Sequence, residues 1–168
     1  MPLQIHLLGT PRVNWNGNPF ELPGNRPLAL LAYLIVTKKA HRREHLTNLL
    51  FDLPADPRAA LRWTLARLRK EIGNEYIIAE REKISLNFQA DYSLDVFDFE
   101  SGKLELYQGD LLEGLYVKDA YRFEEWLVYE RQRLRGLYQA GLEDQLKFHT
   151  RQDDAIAVAQ TAIQLLQR

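Results

Sequence analysis

The 168-residue sequence predicts an α+β fold for its first half and an all-α fold for its second half. Alternating apolar runs broken by Gly, Pro and Asn-Gly open the chain, which is the pattern of a small antiparallel sheet. Three segments with helical periodicity follow, and then two β-favouring runs around a charged tip. Beyond them, the apolar residues indicate helices throughout. We therefore expect two domains, residues 1–90 and residues 91–168.

The first domain is expected to begin with strands in residues 3–8 and 12–22. The Asn16-Gly17 dipeptide in the second run is typical of a two-residue hairpin turn. A helix is predicted across "RPLALLAYLIVTKK", with Pro27 in the first turn, where proline is tolerated. Because this segment is apolar on nearly every side, we expect it in the centre of the domain.

Two further helices and a hairpin complete the predicted first domain. The second helix lies in "HRREHLTNLLF", "DLPADP" breaks the chain, and the third helix spans residues 57–72 and ends at Gly73. The runs "YIIA" and "ISLNF" predict a hairpin over residues 76–88 with a charged tip at residues 80–83. "QADYSLD" is interpreted as the junction between the domains.

The second half is predicted to be helical. "DVFDFE" indicates a short helix, "KLELYQGDLLEGL" a helix with a turn, and residues 121–148 one long amphipathic helix. Asp153 or Asp154 is expected to cap the last helix. That helix reaches Arg168 without a stop signal, so we expect the helical domain to be incomplete and the chain to come from a longer protein.

Composition restricts the functional classes. The chain has no cysteine, which excludes disulfides and thiolate metal sites. The N-terminus "MPLQIHLLG" lacks the pattern of a signal peptide, and no apolar run approaches the roughly 18 residues of a membrane span. We therefore expect a cytoplasmic protein with no membrane contact.

Charge is distributed unevenly between the halves. Residues 1–90 carry 13 Lys and Arg against 8 Asp and Glu, whereas residues 91–168 carry 9 against 15. Opposite signs of this kind indicate that the first half faces a polyanion, although two ordinary domains can also differ by chance.

Positive charge is concentrated in the predicted third helix. The stretch "RAALRWTLARLRK" holds five basic residues and no acidic one. At 100° per residue, its leucines and Ile72 form a narrow apolar stripe for packing. We expect Arg58, Arg62 and Arg69 on one side of that stripe, and Trp63, Arg67 and Lys70 on the outward face.

The outward face has the chemistry to contact nucleic acid. Arginine can form paired hydrogen bonds with guanine edges or phosphates, and a helix fits the major groove of B-form DNA. Trp63 and Thr64 would add apolar contact of the kind that reads a thymine methyl group. A solvated basic face with a partly buried Trp is the alternative, but solvated helices usually mix charges, and this one has no carboxylate before Glu71.

The neighbouring elements extend this interpretation to a helix-turn-helix with a wing. A helix, a break, an arginine-rich helix and a hairpin place Arg81 and Lys83 where a wing contacts the DNA backbone or minor groove. Two acidic residues at the same tip would weaken that contact. At the start of the second helix, Lys38, Lys39, Arg42 and Arg43 are either phosphate clamps or solubilising surface.

The first domain resembles a known family in its motifs. "LLAYLIVTKKAHRREHLTNLLF" followed by "RAALRWTLARLRKEIG" and a hairpin resembles the OmpR-type winged-helix DNA-binding domain, in the version found in Streptomyces antibiotic regulatory proteins. Leu65, Arg67, Leu68, Arg69 and Lys70 match the "LxRLRK" pattern of that family's recognition helix. A departure occurs at position 51, where Phe stands in place of the usual Trp.

The second half is similar to the bacterial transcriptional activation domain of the same regulators. "LYQGDLLEGL", residues 106–115, and "FEEWLVYERQRLRGLYQAGLEDQL", residues 123–146, match its motifs in order. The segment between Phe99 and Leu106 is shorter than usual, and the helical domain has about half the length expected in the family.

The resemblance implies a bacterial transcription activator. Its winged helix would bind direct repeats near a promoter, and its tetratricopeptide-like helical domain would mediate homodimer or RNA polymerase contacts. No cofactor, metal or catalytic residue is implied. The residues that the resemblance directs towards double-stranded DNA are Arg58, Arg62, Trp63, Thr64, Arg67 and Arg69.

Two other functional classes are alternatives to a DNA-binding regulator. "HRREH" places His41 and His45 four residues apart, but it lacks the "HExxH" order and a third ligand, so neither a metal nor an enzyme is expected. The other class is a protein-interaction adaptor that uses the winged helix and the C-terminal helices against protein partners. Strong salt dependence would distinguish DNA binding from an apolar protein contact.

Overall fold

The computed structural model describes residues 3–22, 24–52, 55–152 and 154–167, which form two small sheets and a set of helices. The sheet elements are β1 Leu3–His6, β2 Arg12–Trp15, β3 Asn18–Phe20, β4 His41–Arg42, β5 Ile77–Ala79, β6 Lys83–Leu86 and β7 Tyr92–Leu94. The α-helices are α1 Asn25–Thr37, α2 Arg43–Leu50, α3 Pro57–Ile72, α4 Asp95–Glu100, α5 Tyr121–Arg151 and α6 Ala155–Leu166.

The first sheet has the strand order β3-β2-β1-β7. The predicted hairpin is present between β2 and β3, with Trp15 opposite Asn18. Its turn residues Asn16 and Gly17 have φ values of 49° and 81°, the positive values that a type I′ turn requires at both positions. This turn therefore fixes the register between β2 and β3.

The segment predicted to be a junction completes this sheet. Strand β7 pairs in parallel with β1, and Leu3 lies opposite Tyr92. The segment "QADYSLD", interpreted as a junction, thus contains a strand of the first sheet, and the expectation that the second half is helical throughout was wrong over Tyr92–Leu94. The physical reason is that the free edge of β1 accepts β7, which also buries Leu94.

Helix α1 lies in the centre of the first half, as the sequence predicts. Its residues from Ala29 to Ile35 are at most 6% exposed. The predicted stripe of α3 is buried as well, with Leu61, Leu65, Leu68 and Ile72 each at most 5% exposed. Asp56 caps α3 by accepting a hydrogen bond from the Ala59 N–H at 2.9 Å, and the helix ends before Gly73.

The second sheet joins the hairpin to the start of α2. Strands β5 and β6 form the predicted hairpin, in which Ile77 lies opposite Leu86. Strand β4 adds to β6 through the pair His41 and Ile84, and α2 begins directly after β4. Helices α2 and α3 with this hairpin therefore form a winged-helix arrangement, as predicted.

The chain between α4 and α5 differs from the prediction. "KLELYQGDLLEGL" was expected to be a helix with a turn, but only a 3₁₀ turn forms, at Leu104–Leu106. The following residues pair with the first sheet instead, since Leu111 bridges Leu8 and the Gly9 N–H donates to the Asp110 carbonyl at 2.9 Å. A Cβ at Gly109 would lie 3.0 Å from Gly9 Cα, so a side chain at this position would crowd the approach of the two backbones.

Helices α5 and α6 agree with the sequence prediction. One face of α5 is buried, and its residues Phe123, Leu127 and Leu134 are fully buried. Asp154 caps α6 through the Ala157 N–H at 3.1 Å, whereas Asp153 lies outside the described residues. Within the described ranges, no helix has the length and apolar character needed to cross a lipid bilayer.

A buried carboxylate joins the first sheet to the second half. Asp95, which is 7% exposed, accepts hydrogen bonds from the backbone N–H groups of Leu7, Leu8 and Val96 at 2.8–2.9 Å. Burial raises the pKa of Asp95, and these hydrogen bonds act in the opposite direction. The carboxylate thus satisfies the backbone at the end of β1 and at the start of α4.

We expect Asp95→Ala to lower the free energy of unfolding by about 3–5 kcal/mol, because three buried N–H groups lose their acceptor. The matched control is Asp98→Ala in the same helix, where the loss of an exposed ion pair with Lys103 should cost less than about 1 kcal/mol. Urea unfolding monitored by circular dichroism measures both values. Equal losses in the two variants would contradict the role of Asp95.

A histidine pair connects α1, α2 and α5. His41 is 5% exposed, and its Nε2 lies 2.7 Å from Thr37 Oγ1. His45 stacks on His41 with ring centroids 5.3 Å apart and is hydrogen-bonded to the Tyr33 hydroxyl at 2.8 Å. Tyr33 in turn contacts Trp126 of α5 edge-on. Burial lowers the pKa of His41 from 6.5 to about 4, and the charges of His45 and Lys39 add to this effect.

The lowered pKa of His41 predicts a loss of stability in mild acid. Because the unfolded chain takes up a proton near pH 6.5 and the folded chain only near pH 4, this contribution is complete above pH 6.5 and is lost as the pH falls towards 4. Between pH 7.5 and 5.0, His41 should account for about 2 kcal/mol of the decrease in unfolding free energy. Urea unfolding of wild type and His41→Gln at both pH values tests this, and an equal decrease in the two proteins would refute it.

Candidate nucleic-acid interface

The start of α2, one flank of α3 and the tip of the β5–β6 hairpin enclose a groove of about 860 Å³, which we call the wing groove. Two carboxylates, Glu44 and Glu82, lie in its wall. The arginines outnumber them, so the groove has a positive charge. The arginines that line it are Arg42, Arg43, Arg58, Arg62, Arg69 and Arg81.

These arginines have no carboxylate partner among the described residues. Every ion pair found in the described ranges joins residues from 98 onward to one another, or joins Glu100 to Lys38. Neither the wing groove nor the outward face of α3 takes part in one. Positive charge left without a counter-charge on a concave surface attracts anions.

Arg43 has a structural role in the wing groove. Its Nε and Nη2 atoms donate to the Glu80 carbonyl at 3.0 and 2.9 Å, and its backbone N–H donates to the Glu82 carbonyl at 2.9 Å. The predicted phosphate clamp therefore uses two of its side-chain donors to hold the hairpin tip against α2. Arg42 is exposed and makes no side-chain hydrogen bond within the described residues.

The flank of α3 that faces the wing groove carries three arginines. Arg58 and Arg62 are exposed, whereas Arg69 is half-buried. The Arg69 Nε is buried and has no hydrogen-bond partner within the described part of the chain. A buried donor in this position is satisfied when water or an anion enters the groove.

The outward face of α3 presents an aromatic ring. Trp63 is 58% exposed, and the guanidinium carbon of Arg67 lies 4.7 Å from the centre of its ring. This is the distance of a cation–π contact. Lys70 is exposed on the same side of the helix. The alternative that Trp63 is partly buried does not agree with this exposure.

Thr64 does not lie on the exposed face. It is only 2% exposed, so the expectation that it belongs to the exposed surface of α3 was wrong. At 100° per residue, Thr64 lies about 40° from Leu68, and it therefore shares the buried side of α3. Trp63 is the large apolar residue on the exposed face of the described helix.

The hairpin tip has mixed charge. Arg81 and Lys83 are exposed, as are Glu80 and Glu82 beside them. Arg81 lines the wing groove, whereas Lys83 lies in β6 opposite Arg42. Both predicted wing cations are therefore accessible.

Three other residues singled out in the sequence point away from the wing groove. Lys38 pairs with Glu100 and lies over the Phe97 ring at 4.6 Å, so its charge is directed towards α4. The His41 and His45 rings make the contacts with Thr37 and Tyr33 described above. No group of three or more His, Cys, Asp or Glu side chains suited to a metal ion occurs in the described ranges.

Sequence reasoning missed the contact between Arg43 and the hairpin. The acceptors are backbone carbonyls of Glu80 and Glu82, which leave no mark in the amino-acid pattern. The helix periodicity did separate the two arginine flanks of α3, but it could not show that a hairpin encloses one of them.

Comparison with known proteins adds information about the fold. No protein-family model and no curated protein matches this sequence. Among solved structures, the chain is similar to Mycobacterium tuberculosis EmbR in complex with a low affinity phosphopeptide, with a TM-score of 0.61 and 15% sequence identity. The match covers 98% of this chain and 54% of the EmbR chain. This chain therefore spans about half the length of that protein and shares its fold over this part.

We expect Arg43→Ala to release the hairpin tip, because the Glu80 carbonyl loses both side-chain donors. Amide hydrogen exchange at residues 80–83 should become at least about tenfold faster, since one lost hydrogen bond corresponds to roughly 1.5 kcal/mol. The matched control is Arg42→Ala, which removes the adjacent arginine without removing that bond. Unchanged exchange in Arg43→Ala would show that the hairpin is held by β4 alone.

Proposed function

We propose that the protein is a sequence-specific regulator of transcription that binds double-stranded DNA. Helix α3 enters the major groove, and the hairpin over residues 76–88 contacts the backbone or the minor groove. The observation that carries this proposal is the wing groove, whose arginines lack carboxylate partners in the described ranges and lie beside the exposed face of α3. Phosphates would supply the missing negative charge.

The arrangement of elements supports the same proposal. A winged helix places its recognition helix in the major groove while the neighbouring elements contact phosphates. Helix α3 has 16 residues, and its exposed surface carries no acidic residue before Glu71. The likeness to the EmbR fold, together with the motifs of the antibiotic regulatory proteins, favours regulation of transcription over other uses of a winged helix.

Activation of transcription is part of the proposal. The antiparallel pair of α5 and α6 is compatible with a tetratricopeptide-like domain, which would contact RNA polymerase or a second copy bound to a direct repeat. The protein would act in the bacterial cytoplasm, at the nucleoid when bound to DNA. The proposal assigns no enzymatic activity, cofactor or metal.

A protein-interaction adaptor is the second candidate function. Tyr116, Tyr121 and Tyr129 are between 62% and 66% exposed, and exposed tyrosines are common in protein interfaces. The EmbR structure was solved with a phosphopeptide, although this chain matches only 54% of that protein. An adaptor would bind its partner with little dependence on salt.

Duplex binding at different salt concentrations tests the proposal. Wild-type protein is used to select bound sequences from random duplexes, and affinity for the selected site is then measured by fluorescence anisotropy between 50 and 300 mM KCl, about the range in which phosphate contacts weaken strongly. We expect the combined variant Arg58→Ala, Arg62→Ala and Arg81→Ala to bind weakly to every duplex. It should reduce the salt slope by about 2–3, since each phosphate contact contributes about 0.9.

The control variant carries Lys147→Ala and Arg151→Ala, which remove exposed cations at the end of α5, outside the wing groove. It should bind as wild type does. Failure of wild type to bind any duplex, or binding that is insensitive to salt, would contradict the DNA-binding proposal and favour the adaptor.

A further inference from the structure

We propose that the two exposed flanks of α3 have different roles: the Trp63–Arg67 pair determines which base sequence is bound, and the wing groove holds the phosphate backbone. This inference rests on the proposed function, because it assigns the parts of the same DNA site. Arg67 recognises a guanine, and Trp63 orients the Arg67 side chain.

The geometry of α3 separates the flanks. At 100° per residue, Arg62 and Arg69 lie about 20° apart, whereas Arg67 is about 140° or more from both. Ala66 lies between the two flanks and is exposed. Its small side chain leaves the outermost surface of the helix unobstructed. Of these side chains, Arg62, Ala66 and Arg69 line the wing groove, and Trp63 and Arg67 do not.

The shapes of the two surfaces suit different parts of a duplex. The wing groove is concave and its width is held by Arg43, so it fits the projecting ridge of a phosphate strand. The outermost surface of α3 and its Trp63 side are convex. A helix of about 10–12 Å diameter fits into the major groove, which is about 12 Å wide. Base edges are accessible only from inside that groove.

Arg67 is arranged to form a directional contact. Glu71 lies four residues further along α3, but no ion pair forms between them; the Arg67 guanidinium lies over the Trp63 ring instead. A cation–π contact with a ring does not engage the N–H donors of the guanidinium in hydrogen bonds. The Arg67 side chain makes no hydrogen bond within the described residues, so these donors are available for guanine O6 and N7.

Trp63 restricts the Arg67 side chain and also offers an apolar surface. An isolated arginine loses much side-chain freedom when it binds, whereas a stacked one is already restricted. The exposed part of the indole can also contact a thymine methyl group beside the guanine. Thr64, at 2% exposed, is buried and does not offer its methyl group for that contact.

Variants that keep the charge separate base recognition from phosphate binding. Arg67→Lys retains the charge but removes the paired donors, and Arg62→Lys makes the same change on the flank that faces the wing groove. We expect Arg67→Lys to lose discrimination at one guanine of the selected site by about 10-fold or more, while its affinity for non-specific duplex and its salt slope stay unchanged. Trp63→Leu should lose discrimination at the same position to a smaller extent.

Arg62→Lys should keep the wild-type sequence preference at every position. Selection from random duplexes with each variant, followed by affinities for single-base substitutions of the selected site, gives these results. All three substitutions are at exposed or half-exposed positions, and circular dichroism confirms that each variant is folded.

The outcomes distinguish this inference from the proposed function. If Arg67→Lys and Trp63→Leu keep the full sequence preference while wild type binds a defined site, the inference is overturned and the DNA-binding function stands. The same holds if Arg62→Lys is the variant that relaxes one base position. If wild type binds no duplex, both the proposed function and this inference are overturned.

Discussion

The Asp95 carboxylate is the interaction on which the arrangement of the two halves depends. It binds the N–H groups at the end of β1, where the strand would otherwise leave buried donors unsatisfied, and it does so from the first residue of α4. The parallel pairing of β7 with β1 immediately precedes it. Because the same few residues close the first sheet and begin the second half, the helical part is continuous with the winged helix.

The two halves differ in how their charged side chains are paired. The ion pairs of the described ranges cluster around α4 and α5, where Glu100 and Asp110 bind the arginines of α5. The same pairs lower the pKa of Asp110 and of Glu100, although burial of Glu100 acts in the opposite direction. The arginines around α3 have no such partners. A near-zero net charge therefore conceals an acidic second half, in which carboxylates pair with several of the cations, and a basic first half, in which the arginines around α3 have no carboxylate partner within the described ranges.

The sequence allowed the local elements and part of the candidate site to be predicted. Periodicity identified the buried stripe of α3 and the length of α5, and Asn16-Gly17 identified the first hairpin, because these features depend on neighbouring residues. The pairing of β7 with β1 joins residues about 90 positions apart, and nothing local marks it. The segment around Gly109 looked helical, but its backbone groups pair with distant residues. Thr64 was misplaced because a polar residue beside an apolar stripe was assigned to solvent.

Helix α5 has 31 residues and is therefore about 46 Å long. Its first part packs against the winged helix through Trp126 and Tyr33, and Arg131 donates to the carbonyls of Leu111 and Leu112, so no flexible tether separates its far end from α3. The helix consequently acts as a rigid rod. Any group held at its far end therefore has a fixed distance and direction from α3.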